Sequence, residues 1–228
     1  MPKATDHSDS ATRQHLLRSA LKSFASRGYA ATSVQHIVDA ARLSKPALYY
    51  YFKDKAAIFQ ALVAQAHDER FRLMRQAAER GSTVAGKLEE IVAAIFEYSL
   101  ENRELMRLAF ATAFAASGET PATMQCREKG RRNYDFIRSL VSDGQASGEL
   151  DRRFSLDDLA MGIFGQLNTY VMIRLLTPEC PLNRQTAKQI VRLFLEGAAT
   201  RRNAPNGATH GGFLGSIRKS PGRERLAR

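Results

Sequence analysis

Cysteine is scarce in this chain, and the common catalytic and metal-binding patterns are missing. Of 228 residues only Cys126 and Cys180 are cysteines. They are too few for a disulfide scaffold and too far apart for a redox or metal spacing, which points to a reducing compartment. No G-x-S-x-G, phosphate-loop or H-E-x-x-H pattern occurs, and His7, His15, His36, His67 and His210 share no ligand spacing. His67-Asp68-Glu69 comes nearest to a ligand cluster and reads as a polar helix face. An enzyme is therefore not expected, nor is a metal or other cofactor. Long apolar runs are also missing. The longest, 159–176, contains Gln166, Asn168 and Arg174, so it reads as a buried helix rather than a membrane span. Residues 1–10 carry no apolar stretch, so no secretory signal is expected. Together these readings predict a soluble cytoplasmic protein with no membrane partner.

What the chain does have is positive charge, unevenly placed. The formal net charge is +11. Residues 1–60 hold nine basic against four acidic residues, 61–202 hold 20 against 18, and 203–228 hold five against one. The excess sits at the two ends, as expected of a polyanion partner, most often nucleic acid.

The patterning is helical throughout. Residues 1–11 are polar and predict a flexible arm. From Thr12, Leu16, Leu17, Ala20, Leu21, Phe24 and Ala25 form one apolar stripe that Gly28 would stop. Thr32-Ser33-Val34-Gln35 reads as a capping box, followed by Val34, Ile37, Val38 and Ala41 on one face. Ser44 is the next N-cap, Pro46 falls in the first turn, and Leu43 with Leu48 are placed as a hydrophobic staple. Those signals outweigh the strand propensity of Tyr49-Tyr50-Tyr51-Phe52. Further helices are expected at about 54–80, 83–101, 102–117, 121–147, 155–177 and 183–202. Residues 203–228 turn to Gly, Pro, Ser, Asn and Arg and predict a disordered basic tail. The expected organisation is thus all-α: a three-helix unit at 12–57 and a larger helical domain at 58–202.

Three short helices with a tight second turn have the geometry of a helix-turn-helix, whose last helix enters the major groove of double-stranded DNA. Leu48 and Phe52 would face inward, leaving Lys45, Pro46, Ala47, Tyr49, Tyr50 and Tyr51 outward. Lys45 suits guanine or a phosphate, and Pro46 and Ala47 suit a thymine methyl group. The tyrosine hydroxyls and Lys55 suit phosphate oxygens, and Thr32 and Ser33 would set a helix start beside the backbone. Arg42 and Ser44, in the connecting turn, complete the candidate set.

The stretch from Thr32 to Lys55, above all Ser44 to Lys55 with its Leu-Tyr-x-x-Phe core, resembles the DNA-binding region of the tetracycline-repressor (TetR/AcrR) family. The resemblance covers roughly residues 12–60. It implies a homodimer that binds a palindromic operator, and a larger domain that binds a small-molecule effector, most members being repressors released by their ligand. It implies base-reading positions at Lys45, Pro46 and Ala47, backbone contacts at Thr32, Tyr49, Tyr51 and Lys55, and either role at Tyr50. Two positions depart from the family's habit, which places glycine where Arg42 and Pro46 stand. If position 42 takes a positive φ, arginine costs roughly 1–2 kcal/mol there.

In the larger domain the segment 156–176 is apolar on nearly every face, so it needs its own core and a second surface. That surface is expected to be a second subunit. Helices near 155–177 and 183–202 would form a two-fold four-helix interface, helped by small Ala160, Gly162 and Gly165 and by Ile190, Val191, Leu193 and Phe194. Candidate effector-lining residues are Phe96, Phe110, Phe114, Tyr134, Phe164, Asn168 and Tyr170, a mostly apolar set that suits a lipophilic ligand. Two rivals stand beside the ligand-responsive regulator. One is a nonspecific basic architectural DNA-binding protein; the other is a helical enzyme or carrier with a vestigial DNA unit.

Overall fold

The computed structural model describes residues 5–114, 120–121 and 124–197, with side chains except at 5–8, 114, 124 and 125. Among the described residues there are nine helices and no strand: α1 (Thr5–Ala31), α2 (Val34–Ala41), α3 (Lys45–Tyr51), α4 (Lys55–Ala78), α5 (Val84–Glu101), α6 (Arg103–Phe114), α7 (Met124–Ser147), α8 (Leu156–Leu176) and α9 (Arg184–Glu196). The basic tail expected at 203–228 lies outside the described residues. Part of the arm expected to be flexible does not: α1 is already helical at Thr5, and acidic Asp9 lies near its N-terminal end, where a negative charge complements the helix dipole.

Local chemistry accounts for most boundaries. Gly28 takes φ 77°, ψ 166° and breaks α1, leaving one further turn to Ala31. The capping box at the start of α2 sits one residue later than expected. Ser33 accepts the His36 N–H at 3.1 Å, and the Ser33 N–H donates to His36 Nδ1 at 3.2 Å. Gln35, the expected partner, instead donates to Asp39 at 2.7 Å. Helix α2 closes in a Schellman motif, Leu43 N–H to Val38 O at 2.9 Å and Arg42 N–H to Asp39 O at 3.1 Å. Helices α3 and α4 start on Ser44 and Asp54, whose side chains accept from Ala47 N–H and Ala57 N–H.

Two clusters of buried side chains form the core. One gathers Leu16, Leu17, Phe24, Ile37, Val38, Leu48 and Phe52 against Ile58, Phe59, Leu62 and Ala66 of α4, with Leu105 and Leu108 of α6. The other joins Met74 and Ala77 of α4 to Leu88, Ile91, Ile95 and Phe96 of α5, Ile137 and Val141 of α7, and the inner faces of α8 and α9. Helix α4 therefore belongs to both clusters: its first three turns support the helix-turn-helix and its last turns build the larger bundle.

Helix α8 is long and apolar enough to cross a membrane by length and composition alone. In the fold it packs Ala160, Ile163, Leu167, Val171 and Leu175 inward as a single stripe. Its other side stays open, with Met161 60% and Leu176 76% exposed, and Leu193 of α9 is exposed as well. Of the small residues expected at a subunit interface, Ala160 is buried in its own chain, Gly162 is exposed beside the Phe194 ring, and Gly165 is half-buried with open space around its Cα. Ile190 and Val191 are likewise spent on the chain's own core.

Candidate nucleic-acid interface and effector cavity

Helix α3 is two-sided. Leu48 is fully buried and Phe52 nearly so, the latter under the Arg13 guanidinium at 5.0 Å from its ring. On the opposite side Ser44, Lys45, Pro46, Tyr49 and Tyr50 are exposed, with Tyr50 at 73%, and Ala47 is half-buried. Ser33, Arg42 and Lys53 lie exposed in the flanking segments. A rod of this kind fits the major groove, which admits one helix.

Three of the residues expected on that face are engaged inside the chain. Thr32 is only 1% exposed, and its hydroxyl is within hydrogen-bond distance of the carbonyls of Ser23 (3.1 Å) and Gly28 (2.7 Å), so it stitches the α1 break instead of facing out. Lys55 donates from Nζ to Tyr29 O at 2.8 Å and lies 4.2 Å from the Tyr29 ring centroid. It satisfies carbonyls at the C-terminal end of α1, a favourable place for a cation, and is not held out to solvent. Tyr51 is half-buried and donates its hydroxyl to Asp9 at 2.9 Å, which ties the start of α1 to α3.

A cavity of about 310 Å³ lies where α4, α6, α7 and α8 converge. Of the expected lining residues it takes Phe110, Phe164 and Asn168. Phe96, Tyr134 and Tyr170 do not line it. Phe96 is core, 6.3 Å from the Tyr170 ring, and Tyr134 stacks edge-on against Phe164 at 5.6 Å. The Phe114 side chain lies outside the described residues.

Other lining residues were not anticipated: His67 and Arg70 from α4, Met106 and Ala109 from α6, Gly130 and Asn133 from α7. A Cβ at Gly130 would come 3.3 Å from His67 Cε1, so glycine is what lets α7 approach α4 here. Burial, and after it the nearby Arg70 charge, lowers the His67 pKa to about 4, leaving the ring neutral at pH 7. Asn133 is buried; its amide donates to the His67 carbonyl at 3.3 Å while Oδ1 has no partner. Along His67-Asp68-Glu69, read as a polar helix face, the carboxylates have partners of their own: Asp68 is held by Lys129 and Arg132, and Glu69 by Arg72. Among the described residues no three His, Cys, Asp or Glu side chains are grouped to hold a metal.

The sequence profile of the bacterial regulatory proteins of the tetR family matches residues 16–62, the span from the α1 stripe to the first turns of α4. Over nearly its whole length the chain is similar to the transcriptional repressor KstR2 of Mycolicibacterium smegmatis, at 26% identity across 86% of this chain and 95% of that protein. The matched span is a DNA-binding unit of the TetR family. The chain is thus a DNA-binding, helix-turn-helix transcriptional regulator. The regulator AcrR of Shigella flexneri is 31% identical, over 46% of this chain and 51% of that one. The crystal structure of the regulator FadR from Bacillus subtilis, solved with stearoyl-CoA, shares the fold with a TM-score of 0.68 and 18% identity, over 82% of this chain and 99% of that one.

One sequence signal could have revealed Arg70 in this chain. Along α4 the apolar stripe runs Val63, Ala66, 70, Met74, Ala77, so the arginine falls on a core position among helically spaced hydrophobics.

Proposed function

We propose that the chain is a repressor that works as a homodimer in the cytoplasm, binds a palindromic operator through two copies of α3, and leaves DNA when a small, mainly apolar effector enters the α4–α6–α7–α8 cavity. The observation that carries this reading is the two-sided α3. Its apolar side is locked into the core, while lysine, proline and two tyrosines stand free. Lys45 and Pro46 read base edges, and Tyr49, Tyr50 and Arg42 contact the phosphate backbone.

The dimer reading is supported by the open apolar side of α8 and α9, where Met161, Leu176 and Leu193 are exposed in the single chain. A second copy related by a two-fold axis would cover them and place two recognition helices roughly one turn of DNA apart, about 34–36 Å, or a multiple of that. Coupling is supported by α4. Ala66 lines the cavity and also belongs to the core under the helix-turn-helix. A ligand that shifts α4 therefore changes the separation of the two reading heads.

The test is selection of bound duplexes from a random pool by the full chain, followed by affinity measurements at physiological salt. The regulator reading expects a palindrome preferred over random DNA by about 10³ or more. Equal binding of all duplexes with a steep salt dependence would favour the architectural alternative and overturn this one.

A further inference from the structure

The cavity holds a charge that the chain itself does not answer. Arg70 is 7% exposed, and its Nε and one Nη have neither solvent nor a hydrogen-bond partner. Its near neighbours are the Phe164 ring, 5.3 Å from the guanidinium carbon, and Tyr98, whose burial raises its pKa to about 12 and so keeps the phenol neutral. The neighbouring carboxylates on α4 are taken elsewhere. Asp68 faces α7 and binds Lys129 and Arg132, and Glu69 pairs with Arg72. Residues two apart on a helix do not face each other, so Asp68 cannot swing to Arg70 without leaving both partners. Beside Arg70 the buried Asn133 keeps an unpaired Oδ1, and His67 is neutral. The rest of the wall is apolar: Met106, Ala109, Phe110 and Phe164.

An isolated buried charge is costly, and a guanidinium pays least when a planar anion meets its fork with two parallel hydrogen bonds. The partly open cavity, about 310 Å³, lies at the small end of ligand sites. We infer that the effector is a compact apolar carboxylic acid, bound as the free carboxylate to Arg70 with its hydrocarbon body against Phe110 and Phe164. This rests on the reading of the cavity as the effector site and deepens it. A thioester carbonyl, as in an acyl-CoA, is neutral at that position and would leave the guanidinium charge unanswered.

The test is thermal stabilisation and release of the selected duplex from the full-length protein, with C4–C12 alkanoates, phenylalkanoates, and each acid's primary amide and CoA thioester as probes. At least one acid should stabilise the protein and bind about 10- to 100-fold more tightly than its amide. That preference should vanish in Arg70→Met and persist, weakened, in Arg70→Lys, which keeps the charge but not the fork. The inference is overturned if amides or thioesters bind as tightly as acids, if Arg70→Met retains the preference for acids, or if no acid in the panel binds. An Ala109→Phe variant separates the two levels. Neutral probes that bind and are blocked by the added ring would keep the cavity as effector site and remove only the carboxylate. Probes that act unchanged in Ala109→Phe would remove the cavity reading itself.

Discussion

Arg42 stands where the Schellman turn after α2 calls for glycine, with φ 53° and ψ 42°, and it is the only non-glycine residue at positive φ among the described residues. The left-handed conformation costs an L-residue roughly 1–2 kcal/mol. Replacing Arg42 by glycine removes that strain but adds about 0.4–1 kcal/mol of unfolded-state entropy. The balance is a net stabilisation of about 0.5–1 kcal/mol, which for a chain of this size raises Tm by roughly 1–4 °C. The same substitution takes an exposed cation from beside α3. If Arg42 touches a phosphate in each half-site, a dimer loses two such contacts, and the slope of log K against log salt becomes shallower by about 2. Differential scanning calorimetry and a salt titration on the selected duplex read the two effects separately. Arg42→Gly should melt higher and bind DNA more weakly. A lower Tm would show that the turn is not strained by its side chain. An unchanged salt slope would show that arginine is kept there for some reason other than DNA.

Thr32→Val leaves the Ser23 and Gly28 carbonyls without their buried hydroxyl, so it should cost about 1–3 kcal/mol in urea unfolding, although it touches no DNA; a cost near zero would mean the α1 break is held by packing alone. Glu90 binds Arg184 and Arg80, whose side chains donate to it and bring its pKa down from 4.5 to about 2. A depressed carboxylate pKa contributes stability that is present above pH 4.5 and lost as pH falls toward 2, so Glu90→Gln should flatten the acid limb of stability against pH in that window; an unaltered acid limb would contradict it. Met161→Glu puts a carboxylate on the open side of α8 and should shift sedimentation toward monomer with helicity intact, whereas an undisturbed dimer would place the interface elsewhere.

The parts of the fold legible in the sequence are those decided within one or two helical turns. Ser44, Pro46, Leu48 and Phe52 define α3 by cap, first-turn proline and spacing, and the structure keeps each in its expected role. What was not legible depends on partners far along the chain. Thr32 is claimed by Ser23, Lys55 by Tyr29, and Tyr51 by Asp9. Nothing near those residues distinguishes a phosphate contact from an internal bond. The cavity follows the same rule. Whether Phe110 or Phe96 faces the void is set by how α5, α6 and α8 rotate against one another, which hydrophobicity alone does not encode. Arg70 is an intermediate case: its place on an apolar stripe is local information, but the lack of a partner appears only once α7 and α8 close over it.

The claim on which the rest depends is that the free side of α3 reads DNA. The most direct measurement is fluorescence anisotropy of the full chain on its selected duplex and on a scrambled one, comparing wild type with Lys45→Ala, Tyr50→Ala and a distant control, Lys188→Ala. Lys45→Ala and Tyr50→Ala should each weaken binding to the selected duplex by about 1–3 kcal/mol, and Lys45→Ala should also narrow the gap between the two duplexes, while the control leaves both unchanged. Wild-type affinity in both α3 variants would contradict the account.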